Sequence, residues 1–403
     1  MADAPHLHPS DLRGYGQLVI DATVGMTNLV EAMHRTIQKT PPPLGAPVKE
    51  RTRYITGFVY HSIRGVTRLV GGSLDLVLAP VAPVLAQERM SPERDAVVAA
   101  LNGVWGDHLA ASGNPLAITA HLRNNGRPLQ LTQPALAAAL PQASGRILLL
   151  AHGLCMNDQQ WRWKGHDHGL AVGGESEWTP IYLVYNSGLH ISTNGHHMAG
   201  LLEELVAAWP VPVEEIVVLA HSMGGLVARS ACHVAAGVHH QWLRHLRKII
   251  FLGTPHGGSP LERGGFQVDK LLEMSPYTAP FARLGRARSV GITDLRYGSV
   301  ADEDWAHRDV FKPGRSHHHF MPLPAGVTCC AVAGSIALDP ATRGATLLGD
   351  GLVPIASALG DESDGSPSLH FPEGQRLIVF GANHLELLGH PAVYAQILRW
   401  LAM

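Results

Sequence analysis

Residues 216–236 read IVVLAHSMGGLVARSACHVAA. The apolar run at the start predicts a buried strand, and the spacing of apolar residues from Leu226 onward predicts a helix. Ser222 lies in the short turn between them, with Ala220 before it and Gly224 after it. A serine on a tight strand-to-helix turn projects its hydroxyl above the edge of a sheet. The stretch therefore predicts an α/β architecture with Ser222 as a candidate nucleophile.

Short apolar runs on both sides of this stretch predict more of the same architecture. Strands are predicted at Ile147–Ala151, Ile181–Tyr185, Ile216–Ala220, Ile249–Leu252, Val327–Ala333 and Leu377–Phe380, with helices at 196–209, 223–236 and 387–402. Apolar alternation around Asn125-Gly126 predicts an antiparallel hairpin between Ile118 and Leu131. Alternation of strand and helix predicts a mostly parallel central sheet with helices on both faces.

The domain organisation follows from where these patterns begin and break. Residues 1–112 show helical spacing only, so they predict an N-terminal helical extension of three helices; the third begins at Ser91-Pro92-Glu93. Residues 113–403 form the predicted α/β domain. No strand pattern is present for about seventy residues after Thr254. A connection of that length is usually functional, which predicts a cap or lid insertion at about 259–323.

Two backbone N–H groups are candidates for stabilising negative charge on a substrate oxygen. His152-Gly153-Leu154 follows the strand at 147–151, and Met223 follows the candidate nucleophile. Acyl transfer builds charge on the carbonyl oxygen, and fixed N–H donors are the usual means of stabilising it. An ordinary glycine turn after a buried strand is the simpler alternative. The sequence predicts an oxyanion hole formed by Leu154 and Met223.

A nucleophilic serine needs a base, and the base needs an orienting acid. His384 follows the last strand, and Asp350 lies in Gly349-Asp350-Gly351-Leu352-Val353-Pro354 after the strand before it. An α/β fold of this kind is expected to place its triad in the chain order serine, acid, histidine, and both residues fit that order. The competing residues are too early in the chain, in the insertion, in the terminal helix or in other polar loops: His152, His221, His256, His317–His319, His390, Asp339, Asp361 and Asp364.

Four segments together resemble the α/β-hydrolase superfamily, in its lipase/esterase branch that includes PGAP1-like proteins. They are AHSMGG at 220–225, GTPHGGS at 253–259, GDGLVP at 349–354 and Asn383-His384. The resemblance covers about residues 115–402. It implies an α/β-hydrolase fold, a Ser222–His384–Asp350 triad and no cofactor.

Composition excludes several other classes of protein. A net charge of -2 gives no basic surface for nucleic acid, and four cysteines without a CxxC spacing favour neither a disulfide framework nor a zinc site. Adjacent histidines at 317–319 rarely point at one ion, so no metal is expected. No signal peptide is evident at the N-terminus, which predicts a cytoplasmic protein.

The expected activity is hydrolysis of a carboxylic ester with an apolar part, such as a lipid or a polyester. Acyl transfer to an alcohol on the same triad stays open, and so does a non-catalytic binding protein on a hydrolase fold. The N-terminal helices either pack on the hydrolase domain or contact a lipid or polymer surface at the periphery of a membrane. No substrate-binding residue is predicted.

Overall fold

The computed structural model describes Gly14 and residues 92–258, 289–305, 320–339, 349–361 and 368–403. The chain divides into two compact units. The smaller unit comprises Met1–Arg94 with Ala111–Leu116, and the larger comprises Asp95–Ala110 with Ala117–Met403. Outside the described residues lie the first two predicted N-terminal helices, most of the predicted insertion and His317–His319. The predicted domain boundary at 112/113 stays a prediction, although Asp95–Ala110 belongs to the larger unit.

The described elements follow the order expected for alternating strands and helices. The helices are α1 (Pro92–Ala111), α2 (Gln133–Ala139), α3 (His168–Glu175), α4 (Ile191–Ala208), α5 (Met223–Gly237), α6 (Val290–Tyr297), α7 (Ile355–Ala358) and α8 (Pro391–Leu401). The strands are β1 (His121–Asn124), β2 (Arg127–Pro128), β3 (Arg146–Ala151), β4 (Trp178–Val184), β5 (Glu215–His221), β6 (Leu246–Leu252), β7 (Thr328–Ser335) and β8 (Arg376–Phe380).

These strands form one eight-stranded sheet in the order β2-β1-β4-β3-β5-β6-β7-β8. The β1–β2 and β1–β4 pairs are antiparallel, and all pairs from β4 to β8 are parallel. The register aligns Ala151 with Ala220 and His221 with Leu252. The carboxyl ends of the parallel strands therefore meet at one edge, which is where ligands bind in open α/β sheets.

The sheet is buried on both faces. Alternate residues of β3 enter different core clusters: Leu149 packs with α4 and α5 residues such as Leu202, whereas Leu148 packs with α8 residues such as Ile397. Each of these four side chains is fully buried. A parallel strand covered on both faces is a continuous apolar run, which explains why β3 has the sequence RILLLA. The predicted mostly parallel sheet with helices on both faces is confirmed.

The structure also contains elements that the sequence patterns did not reveal. Helices α2 and α3 are short, and α6 lies inside the predicted insertion. The predicted hairpin is present, but it is shorter than the apolar alternation suggested: β1 has four residues and β2 has two. The third predicted N-terminal helix is α1, and it is kinked at Trp105, whose φ is -134°. Among the described helices, none combines the length and the apolarity that a bilayer crossing requires.

Candidate active site

Ser222 lies between β5 and α5 in a strained backbone conformation. Its φ is 54° and its ψ is -124°, and its N–H donates to the carbonyl of Leu252 at 2.9 Å. A non-glycine residue with positive φ is uncommon, and such strain clusters at functional sites. The two glycines after it allow close packing: a Cβ on Gly224 would lie 2.4 Å from the Ala151 oxygen, and one on Gly225 would lie 2.0 Å from Thr254 Oγ1. The small residues of the motif are therefore required by this turn.

The structure brings the predicted base and acid into direct contact. His384 Nδ1 lies 2.6 Å from Asp350 Oδ2, and both side chains are almost completely buried. The other carboxylate oxygen of Asp350 accepts the N–H groups of Leu352 at 3.0 Å and Val353 at 2.8 Å. Because one oxygen is held by its own turn, the second is fixed toward the imidazole. Nδ1 then carries the proton, and Nε2 has the lone pair that a general base needs.

The loop that bears His384 is held from two sides. Asn383 Oδ1 accepts the N–H groups of Leu385 and Glu386, each at 3.1 Å, and the His384 N–H donates to the Asp350 carbonyl at 3.1 Å. His221 Nε2 lies 3.1 Å from the His384 carbonyl, with the two imidazole rings 4.7 Å apart. A carbonyl only accepts, so His221 donates from Nε2. The residue before the nucleophile thus helps to orient the base.

Ser222 lies close to this pair, but no hydrogen bond joins its Oγ to His384 Nε2 within the described ranges. Their proximity follows from shared neighbours. A Cβ on Gly253 would lie 3.1 Å from both His384 Cε1 and Asp350 Oδ2, and Gly253 directly follows Leu252, which accepts the Ser222 N–H. Hydrogen bonds of a catalytic site are often long before substrate binds. The GTPHGG segment that begins at Gly253 thus lies beside the candidate triad.

The two predicted oxyanion donors flank Ser222. Met223 is the first residue of α5, so its N–H has no acceptor within the helix. Leu154 follows Gly153, and a Cβ on Gly153 would lie 3.1 Å from the Ser222 Cβ. Both Leu154 and Met223 are buried. Both backbone segments therefore lie next to the candidate nucleophile, which is at the N-terminal end of a helix, where negative charge is favoured.

Other histidines around the site are buried and neutral. Burial lowers the pKa of His152 to about 4 and that of His168 to about 4, and it lowers the pKa of His221 well below its ordinary value. His168 Nε2 lies 3.0 Å from the carbonyl of Leu387, in the helical turn after His384. These rings act as hydrogen-bonding supports for the loops, and none of the three has the Ser–His–Asp geometry.

The described part of the predicted insertion is anchored near the carboxyl ends of the strands. Asp294 of α6 accepts the Ile191 N–H at 2.9 Å and pairs with His190 Nδ1 at 2.9 Å. The His190 ring stacks on Trp305 with 3.9 Å between centroids. These contacts attach α6 to the start of α4. No sequence pattern indicated this second His–Asp pair, because its members are about a hundred residues apart.

Among the described residues no cluster of three or more His, Cys, Asp or Glu side chains could hold a metal ion. All four cysteines are free and buried, and burial raises the pKa of Cys155 to about 12. Trp161 is fully buried, and its ring lies edge-on to His221 at 6.3 Å, so it packs against the residue before the candidate nucleophile.

Part of the chain matches a known family model, and several solved structures are similar to the chain. Residues 142–328 match the family described as "PGAP1-like alpha/beta domain". The mature form of a Bacillus licheniformis lipase is similar in structure, with a TM-score of 0.42, 15% identity, and coverage of 70% of this chain and 98% of that one. Aspergillus fumigatus lipase B follows with a TM-score of 0.42, 12% identity, and coverage of 72% and 57%.

An epoxide hydrolase from potato (Solanum tuberosum) is also similar, with a TM-score of 0.35, 12% identity, and coverage of 64% of this chain and 93% of that one. No curated protein sequence matches the chain. The match to the PGAP1-like alpha/beta domain and the sheet order agree with the fold expected from the four motifs. The chain has the α/β-hydrolase fold, and the predicted resemblance is confirmed at that level.

Proposed function

We propose that this protein is a serine hydrolase that cleaves carboxylic esters with an apolar acyl or alcohol part. The fold and the family match support a hydrolase in general. The observation that carries it is the buried His384–Asp350 pair at 2.6 Å beside a serine with a φ of 54°. Fold alone would not establish an activity.

The proposed mechanism begins with proton transfer from Ser222 Oγ to His384 Nε2 as the oxygen attacks the ester carbonyl carbon. Asp350 accepts a hydrogen bond from the Nδ1–H group of His384 and stabilises the imidazolium that forms. The N–H groups of Leu154 and Met223 donate to the oxyanion of the tetrahedral intermediate. The C–O bond to the alcohol then breaks, and the alcohol leaves with the proton from His384.

The acyl group is now bound to Ser222 as an ester. A water molecule attacks its carbonyl carbon and gives a proton to His384 Nε2. The second tetrahedral intermediate collapses, the carboxylic acid leaves, and Ser222 regains its proton. An alcohol in place of water would give acyl transfer on the same residues, so the acceptor decides between the two reactions. A scaffold protein would need neither the strained serine nor the buried His–Asp pair, which favours catalysis over simple binding.

The experiment is hydrolysis of p-nitrophenyl esters from acetate to palmitate, with Ser222→Ala as the control. The proposal predicts release of p-nitrophenol that depends on Ser222, and the chain-length optimum reports the size of the acyl site. Competing octanol in the assay distinguishes transfer from hydrolysis, because a transferase forms the octyl ester in preference to the free acid. A folded wild-type protein without activity on any chain length contradicts the proposal.

We also propose roles for the insertion and for the N-terminal helices. The cap at about 259–323 would cover an apolar acyl site, and the N-terminal helices would contact a lipid or polymer surface.

A further inference from the structure

Cys155 directly follows the candidate oxyanion donor Leu154 and has an unusual backbone conformation. Its φ is 61°, in the left-handed region that non-glycine residues rarely occupy. A residue keeps such a conformation only when its surroundings hold it there. The peptide plane between Leu154 and Cys155 is therefore set by contacts from outside this loop.

One such contact is a hydrogen bond from the next loop along the sheet edge. The Cys155 N–H donates to Ser187 Oγ at 3.0 Å, and Ser187 is almost completely buried. This bond links the loop after β3 to the loop after β4. It fixes the peptide between Leu154 and Cys155, which is joined through the Leu154 Cα to the peptide that carries the Leu154 N–H.

A second contact comes from α1, on the side of the Cys155 side chain. A Cβ on Gly103 would lie 2.1 Å from Cys155 Sγ and 2.9 Å from Cys155 Cα. The helix backbone thus packs directly against this residue. Gly103 lies well before the segment that matches the PGAP1-like domain, yet it contacts the loop that carries an expected catalytic donor.

The loop that carries Ser187 is itself fixed. Asn186 Nδ2 donates to the Gly106 carbonyl of α1 at 2.9 Å, and Asn186 Oδ1 accepts the Gly188 N–H at 3.1 Å. The Gly291 N–H at the start of α6 donates to the Gly188 carbonyl at 3.1 Å. The loop of Ser187 is therefore held by α1 and by the start of α6, and Ser187 connects this rigid loop to Cys155.

We propose that Ser187 and Gly103 are positioning residues of the oxyanion hole, which hold Cys155 between them and so aim the Leu154 N–H at the developing oxyanion. The inference rests on the proposed function, because it assigns a role within that site. It also gives α1 a role in catalysis through its packing. Ser187 touches no reacting atom, so its effect should appear in the transition state and not in ground-state binding.

The test compares Ser187→Ala with Ser144→Ala. Ser144 Oγ also accepts a backbone N–H, that of Arg146 at 3.1 Å, but at the opposite end of β3. Two readouts are measured: kcat and KM on the best p-nitrophenyl ester, and the inhibition constant of an alkyl trifluoromethyl ketone. Addition of the Ser222 hydroxyl to that ketone gives a tetrahedral oxyanion that occupies the same hole, with the hydroxyl proton on His384.

Loss of an oxyanion donor costs about 10²–10³-fold in kcat, and a misaimed donor should cost part of that, about 10- to 100-fold for Ser187→Ala. KM should stay near its wild-type value, and the inhibition constant of the ketone should rise in proportion to the fall in kcat/KM. Ser144→Ala should keep both values. Wild-type kcat and ketone affinity in folded Ser187→Ala, or a loss confined to KM, would overturn the inference.

A second pair of variants decides the matter if Ser187→Ala does not unfold cooperatively. Gly103→Ala adds a methyl group against Cys155. In Gly200→Ala on α4, the added Cβ meets no other described residue within 4 Å beyond its chain neighbours and its own helix backbone. The inference predicts a fall in kcat and in ketone affinity for Gly103→Ala alone, and equal values for the two variants contradict it. A wild-type protein that neither hydrolyses esters nor binds the ketone contradicts the proposed function itself, whatever the variants do.

Discussion

Replacement of Asp350 by asparagine tests the orientation of the base most sharply, because the surrounding hydrogen bonds dictate how the new side chain must lie. One carboxylate oxygen accepts two backbone N–H groups, from Leu352 and Val353, and the other faces His384 Nδ1. The amide of asparagine has one oxygen and one NH₂ group. Its oxygen should take the position with two donors, because the reverse orientation would lose both bonds.

The NH₂ group then faces His384 Nδ1 and can only donate. Nδ1 must become the acceptor, so the proton moves to Nε2, and the imidazole can no longer take a proton from Ser222. A wrong tautomer of this kind lowers kcat by about 10⁴-fold. At about 1.4 kcal/mol for each factor of ten, the transition state loses about 5 kcal/mol. The two backbone bonds remain, so the fold should be preserved.

The assay is kcat on a p-nitrophenyl ester together with the thermal unfolding midpoint, measured for Asp350→Asn and Asp361→Asn. Asp361 accepts two hydrogen bonds from Arg376 at 2.8 and 3.0 Å in a half-exposed pair, so it controls for the same chemical change away from the site. The expected result is a severe loss of kcat for Asp350→Asn alone. If Asp350→Asn keeps more than about a tenth of wild-type kcat, the variant's His384 does not hold its proton on Nε2, contrary to the prediction.

Three further results follow from the site. Ser222→Ala should abolish turnover and keep the unfolding midpoint, as measured by ester hydrolysis and calorimetry; residual turnover at the wild-type rate would exclude Ser222 as the nucleophile. Gly253→Ala should lower kcat, because its Cβ would lie 3.1 Å from His384 Cε1 at a φ of 58°, and a variant with full activity would show that the loop yields freely. The folded-state pKa of His168 is about 4, below its value of about 6.5 in the unfolded chain, so the unfolded state binds the extra proton and stability falls as pH drops from about 6.5 to 4. His168→Gln should weaken this dependence in unfolding midpoints measured between pH 7 and 5, and an unchanged slope would exclude His168 as its source.

The sequence predicts the sheet well because burial on both faces leaves a strong local signal. The runs that became β3 and β5 are apolar without interruption, and their predicted and observed bounds differ by at most one residue. The strained turn at Ser222 was also predictable, since the small residues around it serve that turn. In each case neighbouring residues carry the information.

The supports of the site were not predictable in this way. Ser187 meets Cys155 across 32 positions in sequence, and Gly103 meets it across 52. Neither residue type signals such a contact, because a buried serine or a helical glycine occurs in many settings. The close approach exists only once β3, β4 and α1 have packed together. The apolar alternation near Asn125 overstated the hairpin for a related reason: pairing with β4 on one side determines which residues extend the strand.

The site therefore divides into residues that motifs reveal and residues that packing reveals. His384 follows a strand end in the expected chain order. The hydrogen bond that His221 Nε2 donates to the His384 carbonyl, however, depends on the packing of two loops that are far apart in sequence. The second His–Asp pair, His190 with Asp294, has the same contact chemistry, but the described part of the chain contains no serine in a strained turn beside it.

The central claim, that Ser222 is an activated nucleophile, is tested most directly by covalent labelling. The folded protein is incubated with an alkyl fluorophosphonate, and the modified peptide is identified by mass spectrometry, with Ser222→Ala treated in parallel. We expect one phosphonyl adduct, with loss of fluoride, on Ser222 and none on the variant. An unlabelled wild-type protein, or an adduct that persists in Ser222→Ala, would contradict the claim.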